Sequence, residues 1–284
     1  MSLSKIIIGG AQFGTNYGVS NVNGPLQQLN YNSIFKYCYK KNINSFDTAS
    51  NYGNSEKIFG NYIKNNKYQK WNISTKINFD DNVEDQFKES IKNLKIIPSI
   101  IYFHKFTDFK NKKKRSLIFD LCKKYKVKNV GVSIYTIDEL RFALKIKNIS
   151  IIQIPINILD RKFLKKKIIS DIKHKKIQIH ARSIFLQGML YLKKFKYCKK
   201  DTKNKLVDLN SLLKKNDTNL GELSLQWVSS LDFIKKIIIG IDNLDQLKHN
   251  LKSMKNKNKN KNNLIKKITN IKINDTKFLS PNKW

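Results

Sequence analysis

Ile43-Asn-Ser-Phe-Asp47-Thr-Ala-Ser-Asn-Tyr52-Gly-Asn-Ser-Glu56 passes from an apolar strand, through a short loop, into a helix. Residues 43–49 read as a buried strand, and 55–63 carries apolar residues at helical spacing behind Ser55. The loop between them therefore holds Asp47 and Tyr52 at the carboxyl end of the strand, the edge at which α/β folds bind ligands.

The same alternation runs through the rest of the chain. Apolar strand candidates lie at 5–10, 43–49, 71–77, 99–104, 128–133, 151–156, 177–183 and 236–240. Helical patterns fall between them at 29–41, 83–94, 114–124, 137–144, 161–173 and 220–229, each bounded by Asp, Asn, Gly or Pro. Eight strand-helix units predict an α/β chain closed as a single-domain (β/α)8 TIM barrel, whereas fewer strands in two halves would predict a doubly wound sheet. The length of 284 residues suits that prediction, since such barrels run to about 250 residues as one domain. The barrel is expected over 1–254. Lys255-Asn-Lys-Asn-Lys-Asn-Lys-Asn262 has too little apolar content to pack and predicts a solvated loop over 255–262. A final helix over 264–273 and a polar tail ending in Trp284 make up 263–284.

Composition excludes several classes. Hydrophobic residues at 40% are ample for one core at this length, so general disorder is excluded. No apolar run reaches the roughly 18 residues of a membrane span, and the amino terminus enters a strand without a signal-peptide pattern, which predicts a cytoplasmic protein without a membrane partner. Cys38, Cys122 and Cys198 are widely spaced and lack a Cys-x-x-Cys pair, so neither a disulfide framework nor a metal cluster is indicated.

A formal charge of +35 raises the question of a polyanion partner. Of the 56 basic residues, however, only Arg115, Arg141, Arg161 and Arg182 are arginine, the side chain whose planar fork reads phosphates and base edges. Lysine is spread through every segment with Asn and Ile. That distribution reads as compositional bias and does not point to specific nucleic-acid recognition.

Two later strands also end in polar residues. Trp71-Asn-Ile-Ser-Thr-Lys76 closes on Lys76, and Ile100-Ile-Tyr-Phe-His104 closes on His104. Singly, each candidate has a plainer use: Asp47 an Asx turn, Tyr52 a packing aromatic, Lys76 a solvated amine, His104 a core histidine. Together at successive strand ends they gather an acid, a phenol, an amine and an imidazole at one mouth. That set suits reduction of a carbonyl, in which charge develops on oxygen and a positioned acid must meet it. Tyr52 is the candidate acid, Lys76 the charge expected to make the phenol more acidic, Asp47 the holder of Lys76, and His104 a donor to the carbonyl oxygen. Hydride has to come from a cofactor.

The chain resembles the aldo-keto reductases. Ile7-Ile-Gly-Gly-Ala-Gln-Phe-Gly14 is similar to the first barrel strand of that family, and Asp47 to Glu56 to its Asp-Thr-Ala-x-x-Tyr-Gly-x-Ser-Glu signature. Lys76 and His104 match its remaining catalytic pair, Val130-Gly-Val-Ser133 its fifth strand, Gln153 its sixth, and Ile238-Ile-Gly-Ile-Asp-Asn-Leu-Asp-Gln246 with Asn250 its nucleotide-binding end. The resemblance implies catalytic residues Asp47, Tyr52, Lys76 and His104 and a nicotinamide cofactor, NADP(H) ahead of NAD(H). It places Gly10, Gln12, Ser133, Gln153, Arg182, Ser183, Gly240, Asp242, Asn243, Gln246 and Asn250 along that cofactor, with no metal. Arg182 stands where the seventh strand of the family offers an aromatic, Ile134 where many members carry Asn, and Gly240, Ile241 and Gln246 where basic and hydroxyl residues commonly hold the 2′-phosphate. Asp242 nearby is a carboxylate that repels a 2′-phosphate and accepts from a ribose hydroxyl.

The implied activity is reduction of a small-molecule aldehyde or ketone. Gln153-Ile-Pro-Ile-Asn-Ile-Leu-Asp160 and Arg182-Ser-Ile-Phe-Leu-Gln-Gly188 resemble a bacterial branch tied to sugar and surface-polysaccharide metabolism, implying a keto sugar or sugar aldehyde. Phe13, Tyr17 and Trp284 are expected to wall the substrate, and Arg161, Arg182 and Gln187 to contact its hydroxyls or phosphates. Two other readings stand beside this one. The first is a nicotinamide-nucleotide-sensing regulatory barrel with little turnover, and the second is a lysine-rich polyanion binder using the barrel as scaffold.

Overall fold

In a computed structural model describing residues 3–79, 82–255 and 259–284, the apolar runs pair in parallel and close on themselves in sequence order. The strands are β1 (Ile6–Gly9), β2 (Ser45–Ala49), β3 (Asn72–Ile77), β4 (Ile100–Phe103), β5 (Asn129–Ser133), β6 (Ile151–Pro155), β7 (Gln178–Arg182) and β8 (Ile234–Ile239). The fold is a (β/α)8 barrel. Strands such as β1, β2 and β6 are buried along their whole length, as expected of parallel strands covered on one face by helices and on the other by the barrel interior. That burial explains why β1 appears in the sequence as an apolar run without alternation, while β2 and β6 bury polar residues such as Asp47 and Gln153 in the interior.

Register decides where the site forms. Gly9 pairs with Asp47, Ala49 with Lys76, Lys76 with Tyr102, Ser133 with Gln153, and Pro155 with Arg182. Because all strands run the same way, their last residues share one rim. Asp47, Lys76, Ser133 and Arg182, with His104 following β4, therefore meet there by topology.

Helices cover the outside, and local chemistry sets their starts. Thr136 forms a reciprocal capping box with Glu139 at the helix Ile137–Ala143, and Asn82, Asn111 and Asn219 each cap a helix by accepting from the backbone N–H three residues on. Helix Gln28–Lys40 turns Ile34, Phe35 and Cys38 inward. Phe35 stacks on Phe13 at 5.2 Å and meets Phe46 of β2 edge-on at 5.7 Å. These rings are fully buried, and each contributes about 1.5–3 kcal/mol by leaving water. They anchor the wall beneath the Asp47 loop.

Several boundaries differ from expectation. The helix expected over 161–173 is split into a 3-10 turn at Lys162–Leu164 and a helix at Lys166–His174. The eighth strand starts at Ile234, ahead of 236. Helix Lys200–Lys214, which the sequence reading does not name, buries Thr202, Leu206, Leu209 and Leu213 on one face behind a dense lysine pattern. The expected loop over 255–262 is helical at Lys255, where Leu244–Lys255 ends, and again from Lys259, where Lys259–Asn270 begins. Residues 256–258 lie outside the described residues. The last helix starts early because Lys261, though a lysine, is buried against Glu222 at 3.1 Å, while Leu264 and Ile268 continue the same inward face. Among the described residues no helix is long and apolar enough to cross a membrane.

Candidate active site

At the carboxyl rim lies a cavity of about 270 Å³, lined by residues from β1, β2, β3, β5, β7 and β8, by His104 after β4, and by neighbouring loops. Lys76 and Asp47 form an ion pair in its floor, each with about 3% exposure. An isolated pair at that depth would suffer from desolvation. Here the remaining oxygens are satisfied: Asp47 Oδ1 accepts from Ser74 Oγ at 2.9 Å and from Gln153 Nε2 at 2.7 Å. Lys76 Nζ also donates to the carbonyl of Thr48 at 3.1 Å.

Tyr52 stands over this pair, with Lys76 Nζ 5.1 Å from its ring centroid. The loop reaches this position through a left-handed Gly53 at φ 51°, and the neighbouring Gly14 has no room for a Cβ against the Tyr52 carbonyl. Burial, followed by the Asp47 charge, holds the phenol above its ordinary range, and Arg182 opposes that shift. Lys76, the charge expected beside the phenol, is paired with Asp47.

His104 faces Tyr52 edge-on at 5.9 Å, and its Nδ1 is buried without a partner. Burial, reinforced by Lys76, Arg182 and Lys105, pushes His104 down to about 3. Burial with Lys236 does the same to His180, whose Nδ1 lies 2.9 Å from the Tyr102 hydroxyl inside the barrel. Both rings are thus neutral in the fold, whereas in the unfolded chain they take up protons below about 6.5. The unfolded state binds more protons, so stability is expected to fall as pH drops from about 6.5 toward 3, by about 1.4 kcal/mol per pH unit for each ring. Denaturant unfolding at stepped pH measures the slope, which His180→Gln should reduce by one ring's share. A slope unaltered by that substitution would show that His180 takes no part.

Arg182 is half-buried. Its Nε donates to Ser133 Oγ at 3.1 Å, Nη2 to the Ile134 carbonyl at 2.9 Å and Nη1 to Ser183 Oγ at 3.3 Å, and its guanidinium lies 4.2 Å from the centre of the Tyr135 ring. Around the same rim, Gly10, Gln12, Tyr17, Ser183, Gln187, Gly240, Asp242 and Gln246 also face the cavity. The following loop is conformationally costly: Ser183, Leu186 and Gln187 are all left-handed, at φ 57°, 50° and 54°. Gln187 also accepts from Val19 N at 2.9 Å, linking this loop to the segment after β1.

The sequence profile of the Aldo/keto reductase family matches residues 5–270. The chain belongs to that family. No curated protein matches the sequence. Among solved structures, it is similar to an aldo-keto reductase from Bacillus halodurans, AKR11C1, in its holo form, with 18% identity, a TM-score of 0.73 and coverage of 93% of this chain and 91% of that one. It also resembles a Pseudomonas aeruginosa protein described as an aldo-keto reductase, with 17% identity, a TM-score of 0.66 and coverage of 88% and 89%. At these identities the two likenesses speak for the barrel.

Not every residue assigned to the aldo-keto reductase site from sequence reaches the cavity. Gln153 is fully buried and donates to Asp47, beneath the cavity lining. Asn243 is exposed and caps helix Leu244–Lys255 by accepting from Gln246 N at 2.8 Å. Asn250 is buried behind the wall, accepting from the Tyr191 hydroxyl at 2.8 Å. Phe13 belongs to the core, and Trp284 stacks on Tyr197 at 4.9 Å. Arg161 is tied by its guanidinium to the carbonyls of Ile158 and Ile271 and does not line the cavity. Conversely, Asn51, Tyr135 and Tyr191 line the cavity without having been singled out. Tyr135 was legible as the second residue beyond the Ser133 strand end, and Asn51 as the neighbour of Tyr52.

Proposed function

We propose that this aldo-keto reductase reduces the carbonyl of a sugar aldehyde or keto sugar, with Tyr52 as general acid. The observation that carries the reading is the convergence of Tyr52, His104 and the Lys76–Asp47 pair on one cavity. The hydride for the carbonyl carbon would come from C4 of a dihydronicotinamide held in this cavity. As negative charge grows on the carbonyl oxygen, the Tyr52 hydroxyl hands its proton to that oxygen. The raised pKa keeps this proton in place at neutral pH, so the acid is loaded before the reaction starts. His104, held neutral, orients the oxygen by an N–H hydrogen bond, and Lys76 supplies a nearby positive charge fixed by Asp47.

The residues suit a nicotinamide dinucleotide. Gln12 Oε1 and His104 Nδ1, on residues that line the cavity, are buried polar atoms without partners, which is what a site prepared for a polar ligand presents. Gly10, Gln12, Ser133, Ser183, Gly240, Asp242 and Gln246 would hold the cofactor along the β1, β5, β7 and β8 ends, with Arg182 as a planar platform in place of an aromatic. The polar side chains of Ser20, Asn51 and Gln187 around the mouth favour a hydroxyl-bearing substrate.

Incubation with reduced cofactor and a panel of sugar aldehydes and keto sugars, followed by loss of dihydronicotinamide absorbance, tests this reading. Turnover of at least one sugar carbonyl is expected. Cofactor binding without turnover on any carbonyl would favour a sensing role.

A further inference from the structure

We infer that the cavity selects NAD(H) over NADP(H), with Asp242 as the residue that makes the choice. The inference rests on the reductase reading above and reverses the cofactor order implied by the family resemblance.

The two ends of the cavity differ in charge. Hydride and proton must arrive at adjacent atoms of one carbonyl, so the nicotinamide belongs beside Tyr52. Arg182 shares that end, because its charge acts on both Tyr52 and Tyr17. Lys76 is there too, already paired with Asp47. Among the described residues, these two are the lysine and arginine side chains that line the cavity.

Past β8 the lining is Gly240, Asp242 and Gln246, with Gln12 from the β1 end facing them. The Gln12 amide lies against Gly240, where a Cβ would come within 2.6 Å of its nitrogen. Asp242 accepts from Gln246 Nε2 at 3.4 Å, and its own N–H donates to Gln246 Oε1 at 2.6 Å. No lysine or arginine among the described residues pairs with it, and burial raises its carboxyl above the usual range. Neighbouring Asp245, by contrast, is paired with Lys248 at 3.0 Å. For a chain of charge +35, a cavity carboxylate flanked only by amides is a specific arrangement.

Gln12, itself hydrogen-bonded to Asp242, adds a second indication. It is 8% exposed, lines the same end and leaves Oε1 without a donor. A carboxylate and an unpartnered amide oxygen on two residues lining the same cavity are two acceptors, and they call for a ligand that donates. A ribose 2′,3′-diol offers two hydroxyl donors. A 2′-phosphate removes one of them and brings nearly two negative charges beside Asp242, with no cation in place to offset them.

Equilibrium titration of the full chain with NADH and with NADPH, read by quenching of protein fluorescence at fixed ionic strength, tests the inference. Kd for NADH is expected to be lower than for NADPH by about tenfold or more, the scale of an unscreened like-charge contact. Asp242→Asn should shrink that ratio severalfold, and Gln246→Arg should tighten NADPH specifically. Because each ratio comes from one folded preparation, partial misfolding of a variant does not alter it. A wild-type protein that binds NADPH as tightly as NADH, or a ratio untouched by Asp242→Asn, overturns the inference and leaves carbonyl reduction standing. Failure to bind either cofactor overturns the reductase reading and this inference with it.

Discussion

Tyr52→Phe is expected to lower kcat for carbonyl reduction by about 10²–10⁴, the usual contribution of a positioned general acid, while changing cofactor Kd little. The substitution deletes one oxygen, and the ring keeps its contacts with His104 and Lys76. Structural damage should therefore be small, and circular dichroism with the melting temperature checks that. The wild-type pH profile gives a second readout. With the phenol held above its ordinary pKa, reduction should be flat through neutrality, because the acid stays protonated. Alcohol oxidation needs the phenolate and should climb into the alkaline range. Equal turnover in Tyr52→Phe would remove the phenol from the chemistry.

The second large effect is expected at Asp47. Asp47→Asn keeps the shape but leaves the Lys76 ammonium buried at 3% exposure without its counter-charge. Breaking one side of a buried pair costs about 3–5 kcal/mol, a large share of the 5–15 kcal/mol that holds a typical domain together. Urea unfolding should show that loss, and activity should fall with it. Pairing Asp47→Asn with Lys76→Met removes the stranded charge, so stability should partly return while turnover does not. Recovery of both would mean that Lys76 has no chemical part. An unchanged midpoint in the single variant would mean that the pair is not buried in solution.

Much of this molecule was legible before any coordinates. Alternating apolar runs and punctuated helices suffice for the barrel, because burial on both faces leaves strands such as Ile6–Gly9 and Ile151–Pro155 rich in Ile. Strand-end residues suffice to gather Asp47, Lys76 and His104 at one cavity, because parallel strands deliver their last residues to one rim. Reading failed where tertiary context overrode local pattern. Helix Lys200–Lys214 hides its inward Leu206, Leu209 and Leu213 among lysines, and Lys261 packs inside despite its charge because Glu222 waits there. At the site, the direction of the Tyr52 shift depends on how deeply the phenol is buried and on the charges of Asp47 and Arg182 around it, and spacing along a chain reports neither. Gln153, Asn243 and Asn250 show the same limit. A residue can sit at the right place in a motif and still turn its amide toward a neighbour instead of the cavity.

The hydrogen bonds around Asp47 have an evolutionary consequence. Its carboxylate accepts from Ser74 on β3 and from Gln153 on β6, and β6 lies diametrically across the cylinder from β2. Polar residues kept for chemistry commonly weaken the proteins that carry them, and selection has to trade one property against the other. At this position the two demands coincide, since the group that steadies the amine also braces opposite walls. Laboratory evolution toward a different reaction would find Asp47 a poor starting point and Arg182 or Tyr135 a better one, since replacing either leaves the cross-cylinder brace in place.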